Sequence, residues 1–328
     1  MAYYFVGGED HDFQKIGNAT VDTGSTRRTA LTRCSLKVGP TTAIDGYQAT
    51  LSAAVSSFWL SARVYASSWT ASSSVADMLM FLDGSTRRLG LKGNSSGQLV
   101  LFKRTAAGVE TTLATSSLTP AIATVLKLDV QVSYGAANTI NVYLDGLLFL
   151  TYTGDVTTNG ATTLSGFVLG SARTLVSTHY WSEVICTTED TRGLSLVTLP
   201  PAANGNAFAW TNSYASVDEV TTDDLDLCAS ASANQVLETT VSSSGLTGSP
   251  AIRAVCVSGR AQKGSSGPAN IQMAVRTAGA DFFSSSIALP DAFDRVANVF
   301  ETNPDTSAAW TAAQLTAVGF NIGAKSIT

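Results

Sequence analysis

The segment that most constrains the fold is residues 124–155, in which apolar and polar residues alternate. In its first part every second side chain is apolar, namely those of Leu126, Leu128, Val130, Val132 and Tyr134. A period of two is typical of a strand with one buried and one solvated face. After a Gly-containing connection the alternation resumes at residues 140–144, and Asp145-Gly146 then turns the chain into a third strand. Three consecutive antiparallel strands share one apolar face, which predicts packing against a second sheet.

The rest of residues 1–198 favours the same architecture. Short strand-like runs recur between turns rich in Gly, Ser and Thr, and no long helical period interrupts them. Residues 56–66 form a long apolar run that predicts a strand buried on both faces, and residues 67–74 predict a polar loop. Strands at this spacing are typical of a two-sheet sandwich of jelly-roll type.

The chain of 328 residues exceeds the usual size of a single core, so we expect two domains. The boundary is placed at residues 199–206, LPPAANGN, because two prolines fix φ and remove backbone donors, which predicts a linker. Residues 207–328 again contain strand-like runs, and only residues 307–318 look helical, with Asp305 or Thr306 as the N-cap. The prediction for this part is a second, smaller β-sandwich with one short helix.

Composition excludes several classes of partner. Charged residues are 14 % of the chain and the net charge is −5, which argues against nucleic acid. No basic run suits an anionic membrane surface, and no apolar run approaches the roughly 20 residues of a membrane span. The first residues, MAYYFVGGEDHDF, lack the basic and apolar regions of a secretory signal. We therefore expect neither nucleic-acid binding nor membrane insertion.

The four cysteines, at positions 34, 186, 228 and 256, lie far apart and form no C-x-x-C pair. Cys186 and Cys256 stand in strand-like runs, where a small apolar residue is an ordinary core choice. We interpret the cysteines as buried free thiols, and two disulfides are the alternative. The two histidines, His11 and His179, have no second His or Cys at metal-ligand spacing.

No sequence pattern indicates catalysis. Residues 93–97 match G-x-S-x-G, but they join two predicted strands, whereas a nucleophile elbow joins a strand to a helix. A glycosidase on such a sandwich requires two carboxylates facing one cleft, and no single strand offers such a pair. Glu183 stands alone, and Asp129 alternates with Lys127 on a face predicted to be solvated. We therefore predict that the protein is not an enzyme.

Two candidate binding sites lie in predicted loops. Trp69, in the polar stretch SSWTASSS, is predicted to be exposed and could stack on a sugar ring, with Asn94 in a further loop as a second contact. The acidic residues Asp223, Asp224 and Asp226 could bind Ca²⁺ through carboxylate oxygens. They lack the spacing of an EF-hand, so a solvated acidic loop is the alternative, and no other cofactor is expected. Trp59, Trp181 and Trp310 have apolar neighbours and are predicted to belong to the core.

Two stretches carry a resemblance to known families. INVYLDGLLFLTYTGD, residues 140–155, resembles the late strands of concanavalin A-like, laminin-G-like jelly rolls. GGEDHDF and the later STRRTALTRCSLKVG are similar to the start of such domains in virion proteins of tailed bacteriophages. Residues 293–325 resemble a module found at the end of phage minor structural proteins, with an apolar strand, an N-P-x-T-x-x-x-W-T helix and a G-F-x-[IV] closing strand.

This resemblance implies a structural virion protein, assembled in the cytoplasm of a bacterial host. The expected position is the tail, as part of a fibre, baseplate or spike, with a possible role in attachment to a host-surface glycan. Expected partners are other virion proteins and further copies of the chain, in a homotrimer. The alternatives are a capsid decoration or head-fibre protein, and a carbohydrate-binding module or polysaccharide-degrading enzyme. The resemblance carries over no catalytic or binding residue.

Overall fold

The computed structural model describes residues 2–39, 45–70, 77–170 and 177–328. Within these ranges the protein consists of strands and turns, with a single α-helix of four residues and three 3-10 helices, Asp10–Asp12, Ser25–Arg27 and Tyr214–Ser216. The predicted all-β fold class is therefore confirmed. The chain divides into two compact units, Met1–Leu196 and Val197–Thr328, which we call unit 1 and unit 2. In the described part of the chain, no helix has the length and apolar character needed to span a bilayer.

The described residues of unit 1 form fifteen strands. They are β1 (Tyr3–Gly7), β2 (Gln14–Ile16), β3 (Thr20–Asp22), β4 (Ser35–Val38), β5 (Gly46–Val55), β6 (Ser57–Ala66), β7 (Asp77–Asp83), β8 (Thr86–Gly93), β9 (Leu99–Arg104), β10 (Glu110–Thr115), β11 (Val125–Ser133), β12 (Asn138–Leu144), β13 (Leu147–Gly154), β14 (Leu164–Leu169) and β15 (His179–Thr187).

These strands form two antiparallel sheets. Sheet A has the order β13-β12-β11-β6-β15-β4-β3, and β1 also pairs with β15. Sheet B has the order β10-β9-β8-β7-β14-β5-β2. The meander predicted from the alternation is β11-β12-β13, in which Val142 pairs with Val130 on one side and with Leu150 on the other.

A single apolar core lies between sheets A and B. Sheet A contributes Leu60 and Val130, and sheet B contributes Phe81, Leu101 and Phe167, all fully buried. The residues that alternate with these on sheet B form a second apolar group on its outer face, made by Met80, Leu82, Phe102 and Val168. Sheet B is thus apolar on both sides near its middle, because neighbouring positions along β7 belong to different clusters.

The outer face of sheet A is not solvated as predicted. Asp129 is 0 % exposed and Lys127 is also buried, because residues 188–194 cross this face directly after β15. The Lys127 Nζ donates hydrogen bonds to the carbonyl oxygens of Thr191 (2.7 Å), Arg192 (2.9 Å) and Leu194. The Thr191 hydroxyl donates to Asp129 Oδ1 at 2.6 Å. The charged residues of β11 therefore hold the chain against the sheet.

Unit 2 contains eight strands and the helix. They are β16 (Pro201–Phe208), β17 (Val236–Val241), β18 (Val255–Ala261), β19 (Asn270–Thr277), β20 (Ala280–Phe283), β21 (Ile287–Ala288), β22 (Asp294–Phe300), α1 (Ala312–Leu315) and β23 (Asn321–Ile327). Sheet C has the order β16-β17-β23-β19-β20, with β21 also paired to β19, and β18 pairs with β22. Their shared core includes Val257, Met273, Val275, Trp310 and Phe320.

Two predictions for unit 2 need correction. Most of the predicted linker, residues 199–206, belongs to β16, which is the edge strand of sheet C. Pro201 is tolerated because it is the first residue of an edge strand, where a missing N–H costs little. The helix covers Ala312–Leu315 and not residues 307–318, since Ser307 has φ +56° and cannot continue a right-handed helix. Its N-cap is Thr311, not Asp305 or Thr306.

The C-terminal pattern that resembles a phage module has a structural explanation for each conspicuous residue. Asn303 is buried and its Oδ1 accepts a hydrogen bond from the Asp305 amide at 2.9 Å. Trp310 is buried, donates from Nε1 to the Phe300 carbonyl at 2.8 Å and packs edge-on against Phe320. These residues maintain the fold of unit 2 and leave the identity of a partner open.

Candidate functional site

Trp69 does not form an exposed platform. Its side chain is only 3 % exposed, its Nε1 donates to the Ala121 carbonyl at 2.8 Å, and its ring lies 5.9 Å from that of His179. A Cβ placed on Gly93 would lie 1.8 Å from the Trp69 carbonyl oxygen, so the end of β8 packs closely against this backbone. The predicted exposure of Trp69 is wrong because the indole fastens the loop to the core. Residues 71–74 of the same predicted loop lie outside the described residues.

Asn94 uses its side chain within its own turn. The Oδ1 atom accepts hydrogen bonds from the backbone amides of Ser96 and Gln98, both at 2.9 Å, and Nδ2 donates to Gln98 Oε1 at 3.0 Å. Such a side chain fixes a turn in place of a backbone group. The G-x-S-x-G match is therefore the β8–β9 turn, which the Asn94 side chain holds together.

The three predicted calcium ligands, Asp223, Asp224 and Asp226, have different surroundings. Asp224 pairs with both ends of the Arg260 guanidinium, at 2.7 and 2.9 Å, and Asp223 accepts a hydrogen bond from the Leu225 amide at 2.9 Å. Asp226 is exposed. No group of three or more His, Cys, Asp and Glu side chains suited to a metal ion occurs among the described residues. Calcium binding by this loop therefore stays a prediction.

A set of charged residues on the outer face of sheet B was not predicted from the sequence. We call it the Arg104 cluster, and it consists of Asp77, Arg87, Lys92, Arg104 and Glu110. The Arg104 Nη2 lies 3.0 and 2.9 Å from the two oxygens of Asp77 and also contacts the Glu110 carboxylate. The Lys92 Nζ lies 2.6 Å from Glu110 Oε2. These residues come from the four neighbouring strands β7 to β10, so only the sheet order brings them together.

The fully buried ring of Phe102 lies beneath the cluster. The Lys92 Nζ is 4.8 Å from the ring centroid and the Arg104 guanidinium carbon is 5.3 Å away, both within the range of cation–π attraction. Gly90 sits between this ring and Met80, and a Cβ there would lie 2.2 Å from the Met80 sulfur. Such a Cβ would also lie 3.0 Å from Phe102 Cζ, so the packing of Met80 and Phe102 requires glycine at this position.

The pKa values of the cluster are perturbed in opposite directions. Burial raises the pKa of Asp77, and the neighbouring Arg104 offsets only part of that effect. For Glu110 burial acts in the same sense, but hydrogen bonds from Lys92 and Arg104 outweigh it and lower the pKa. Burial lowers the pKa of the Arg87 guanidinium. Several perturbed groups in one place are typical of a functional site.

Arg87 differs from the other members of the cluster. It is half-buried, and among the residues that the structure describes it has no hydrogen bond or ion pair within 4 Å. Its charge interacts at longer range with Asp77 and Arg104. The cluster contains three cations and two carboxylates, so it carries one excess positive charge. This excess is located on the side chain that has no close partner.

Two titratable residues considered in the sequence are structural. Glu183 is buried in an irregularity of β15, where it accepts a hydrogen bond from Thr29 and lies 3.5 Å from the Arg63 Nε. His179 is buried, and burial lowers its pKa to about 4, so the imidazole is neutral at pH 7. All four cysteines are free, with Cys34 and Cys186 buried and the other two half-buried.

Comparison with known proteins leaves the family open. No family model and no curated protein matches the chain. Solved structures with a similar fold include the cellulose-induced protein Cip1 (14 % identity, TM-score 0.42, 56 % of this chain and 92 % of that one). Others are an endo-β-1,4-glucuronan lyase from Trichoderma reesei (12 %, 0.39, 57 % and 95 %) and the carbohydrate-binding module CBM66 from Bacillus subtilis (13 %, 0.36, 56 % and 99 %). At these identities and scores such likenesses carry no argument about function, and the resemblance to phage virion proteins stays a prediction.

Proposed function

We propose that unit 1 is a non-catalytic glycan-binding domain, and that the outer face of sheet B binds a saccharide carrying an acid group. The observation that supports this proposal is the state of Arg87. A half-buried guanidinium has lost part of its hydration. Without a close counter-ion, it has no ion pair that offsets this loss. A carboxylate or sulfate placed against it would receive charge-assisted and even bidentate hydrogen bonds.

The surroundings of Arg87 suit a polyhydroxylated ligand better than a simple anion. Lys92 and Arg104 supply donors, and Glu110 supplies an acceptor, within one small area. Edge strand β10 adds the exposed hydroxyl of Thr112, which pairs with Phe102 on the same face. Sugar hydroxyls both donate and accept hydrogen bonds, so they need such a mixture. A nucleic acid is disfavoured because the whole chain carries a net charge of −5.

Hydrolysis of the glycan is a weaker alternative with one observation in its favour. Asp77 and Glu110 both contact the same Arg104 nitrogen, and their pKa values shift in opposite directions, as in the acid and base of a glycosidase. However, the guanidinium occupies the space between the two carboxylates, and Asp77 is fully buried. A scissile bond has no room there, which is why the proposal is limited to binding.

The test is binding of the full chain to an array of carboxylated, sulfated and neutral saccharides, followed by titration calorimetry on any hit. We expect Arg87→Ala to weaken binding of an acidic saccharide about 10- to 100-fold, since a hydrogen bond to a charged group is worth about 1.5–3 kcal/mol. Arg87→Lys keeps the charge but not the bidentate geometry, so an intermediate loss is expected. The matched control is Arg253→Ala, an exposed arginine of unit 2.

Three results would contradict the proposal. The first is an array without a binder, and the second is unchanged affinity in Arg87→Ala. The third is release of shortened or unsaturated products from a bound polysaccharide, which would show that the face is catalytic.

A further inference from the structure

Two buried side chains of unit 2 leave oxygen atoms without hydrogen-bond donors. Glu238 on β17 is 1 % exposed and Asn321 on β23 is 2 % exposed. The Oε2 atom of Glu238 accepts hydrogen bonds from the Ala207 amide at 3.0 Å and from the Asn321 Nδ2 at 3.3 Å. The remaining oxygens, Glu238 Oε1 and Asn321 Oδ1, have no hydrogen-bond partner among the described residues, which include all of unit 2.

The orientation of Asn321 is fixed by its neighbour. Rotating the amide by a half-turn would set its oxygen against the carboxylate oxygen of Glu238, which accepts but does not donate hydrogen bonds when ionised. The Asn321 Oδ1 therefore stays directed away from that contact. Two neighbouring buried side chains thus each keep one oxygen acceptor without a donor.

A second carboxylate approaches the same place. Asp281 on β20 pairs with Arg276 and also interacts with Glu238. On the face of sheet C between them, the row that starts at Glu238 continues with Gly323 and Ala274. A Cβ on Gly323 would lie 2.0 Å from the Leu237 carbonyl oxygen, so only glycine fits there. Because Gly323 has no side chain and Ala274 a small one, side chains from β17 and β20 can meet across this face of sheet C.

Neither nearby cation donates to the two buried oxygens. Arg276 pairs with Asp281. The Lys325 Nζ, on the same face of sheet C, lies over the Phe283 ring at 4.9 Å from its centroid. A buried carboxylate beside a second one must share a proton or hold a cation, because both cannot stay ionised without compensation. Burial, followed by the neighbouring Asp281, raises the pKa of Glu238, as expected when that compensation is absent.

We propose that Glu238 Oε1, Asn321 Oδ1 and the Asp281 carboxylate bind a hard cation, of the class of Ca²⁺ or Na⁺. Carboxylate and amide oxygens are the ligands that such ions take in proteins. The ion would join three strands, β17, β23 and β20, through their side chains, so binding stabilises unit 2. The site is independent of the saccharide face of unit 1, and either proposal can fail without the other.

The test is thermal unfolding of the full chain by calorimetry at pH 8, after treatment with a chelator. Three arms contain CaCl₂, MgCl₂, or NaCl balanced against choline chloride. A cation at ten times its Kd is expected to raise the unfolding temperature of unit 2 by about 5 °C. Repeating the titration at pH 5 should weaken the response, because protons compete for Glu238. The Ca²⁺ and Na⁺ arms distinguish the two ions.

Variants locate the effect. Glu238→Gln places an amide donor beside Asn321 and Asp281, so we expect it to fold and to lose the cation response. Asn321→Asp adds a carboxylate and should tighten binding at least tenfold, which a merely structural residue would not do. The matched control is Asp224→Asn in the acidic loop, which should keep the full response. The proposal is overturned if no cation shifts the unfolding temperature, if Glu238→Gln responds like the parent chain, or if Asp224→Asn abolishes the response.

Discussion

The two outer faces of unit 1 differ in the groups that compensate their buried charges. On sheet A, the Lys127 ammonium is held by three backbone carbonyls of a segment that covers it, and Thr191 binds the adjacent Asp129. On sheet B, the charges of the Arg104 cluster pair chiefly with one another, and Arg87 has no close partner in the described part of the chain. The first face has its hydrogen bonds satisfied by the chain, whereas the second has an unmatched positive charge.

The difference shows that burial of charge does not by itself mark a binding site. The Lys127 ammonium donates to three backbone carbonyls and therefore has no donor left for a ligand. This face of sheet A contributes to stability. Side chains that pair with one another can rearrange when a ligand arrives, so the Arg104 cluster suits recognition. The following predictions test this division, beginning with the largest expected effect.

Lys127→Met should cost about 3–5 kcal/mol in the free energy of unfolding. The change leaves three carbonyls without a donor and Asp129 without its nearest cation, which lies 3.8 Å away. Urea denaturation monitored by tryptophan fluorescence measures the loss. Lys37→Met on β4 is the control, and it should stay within about 0.5 kcal/mol of the parent chain. Equal losses in both variants would show that the covering segment does not depend on Lys127.

Unit 1 should be destabilised by acid through His179. Its pKa is lowered to about 4 in the folded state, so the unfolded chain binds more protons between about pH 4 and 6.5. Stability therefore rises with pH across this window, by about 3 kcal/mol in total. Unfolding curves at pH steps from 4 to 7 measure the slope. His179→Phe, which cannot titrate, should flatten it, and an unchanged slope would assign the effect to other groups.

Arg104→Met should destabilise unit 1 by about 2–3 kcal/mol and enlarge one pH effect. The pKa of Asp77 is already raised by burial, and removal of its main cation raises it further. A carboxyl with a raised folded pKa binds its proton more tightly in the folded state, so stability falls as pH rises above the unfolded value. The variant should thus lose more stability at pH 7 than at pH 5. A loss independent of pH would mean that Asp77 keeps its charge without Arg104.

Trp69→Phe is expected to have the smallest effect, about 1 kcal/mol. The substitution keeps most of the apolar volume and removes one hydrogen bond, from the indole nitrogen to the Ala121 carbonyl. Saccharide affinity should be unchanged, because Trp69 is buried and is not part of the Arg104 cluster. A loss of affinity comparable to that of Arg87→Ala would move the binding face away from sheet B.

Local patterns predicted those parts of the fold that depend on neighbouring residues. The meander β11-β12-β13 follows from alternation and a Asp145-Gly146 turn, and both are visible within about 30 residues. Burial of Lys127 could not be predicted, since its cover arrives 64 residues later in the chain. The predicted helix at residues 307–318 is too long for a local reason. Ser307 adopts a left-handed conformation, which helix propensity does not reveal.

The candidate sites could be predicted even less well. The polar neighbours of Trp69 and Asn94 predict exposed loops with side chains available to a ligand. Both side chains instead make hydrogen bonds that hold their own loops in place. The Arg104 cluster comes from four strands, and the Glu238 site of unit 2 from three. A spacing within one strand cannot indicate either of them. Such sites depend on strand order, which a single sequence leaves open.

The three hydrogen bonds from Lys127 to residues 188–194 also have a mechanical consequence. Residues 188–194 lead from β15 towards unit 2, so tension applied through unit 2 acts first on this segment. One ammonium group holds three carbonyls, and these bonds share the load before β15 is pulled out of sheet A. The lysine sits on β11, between β6 and β12, so the load passes into the interior of the sheet and not to an edge. The attachment point of unit 2 is therefore reinforced by a single side chain.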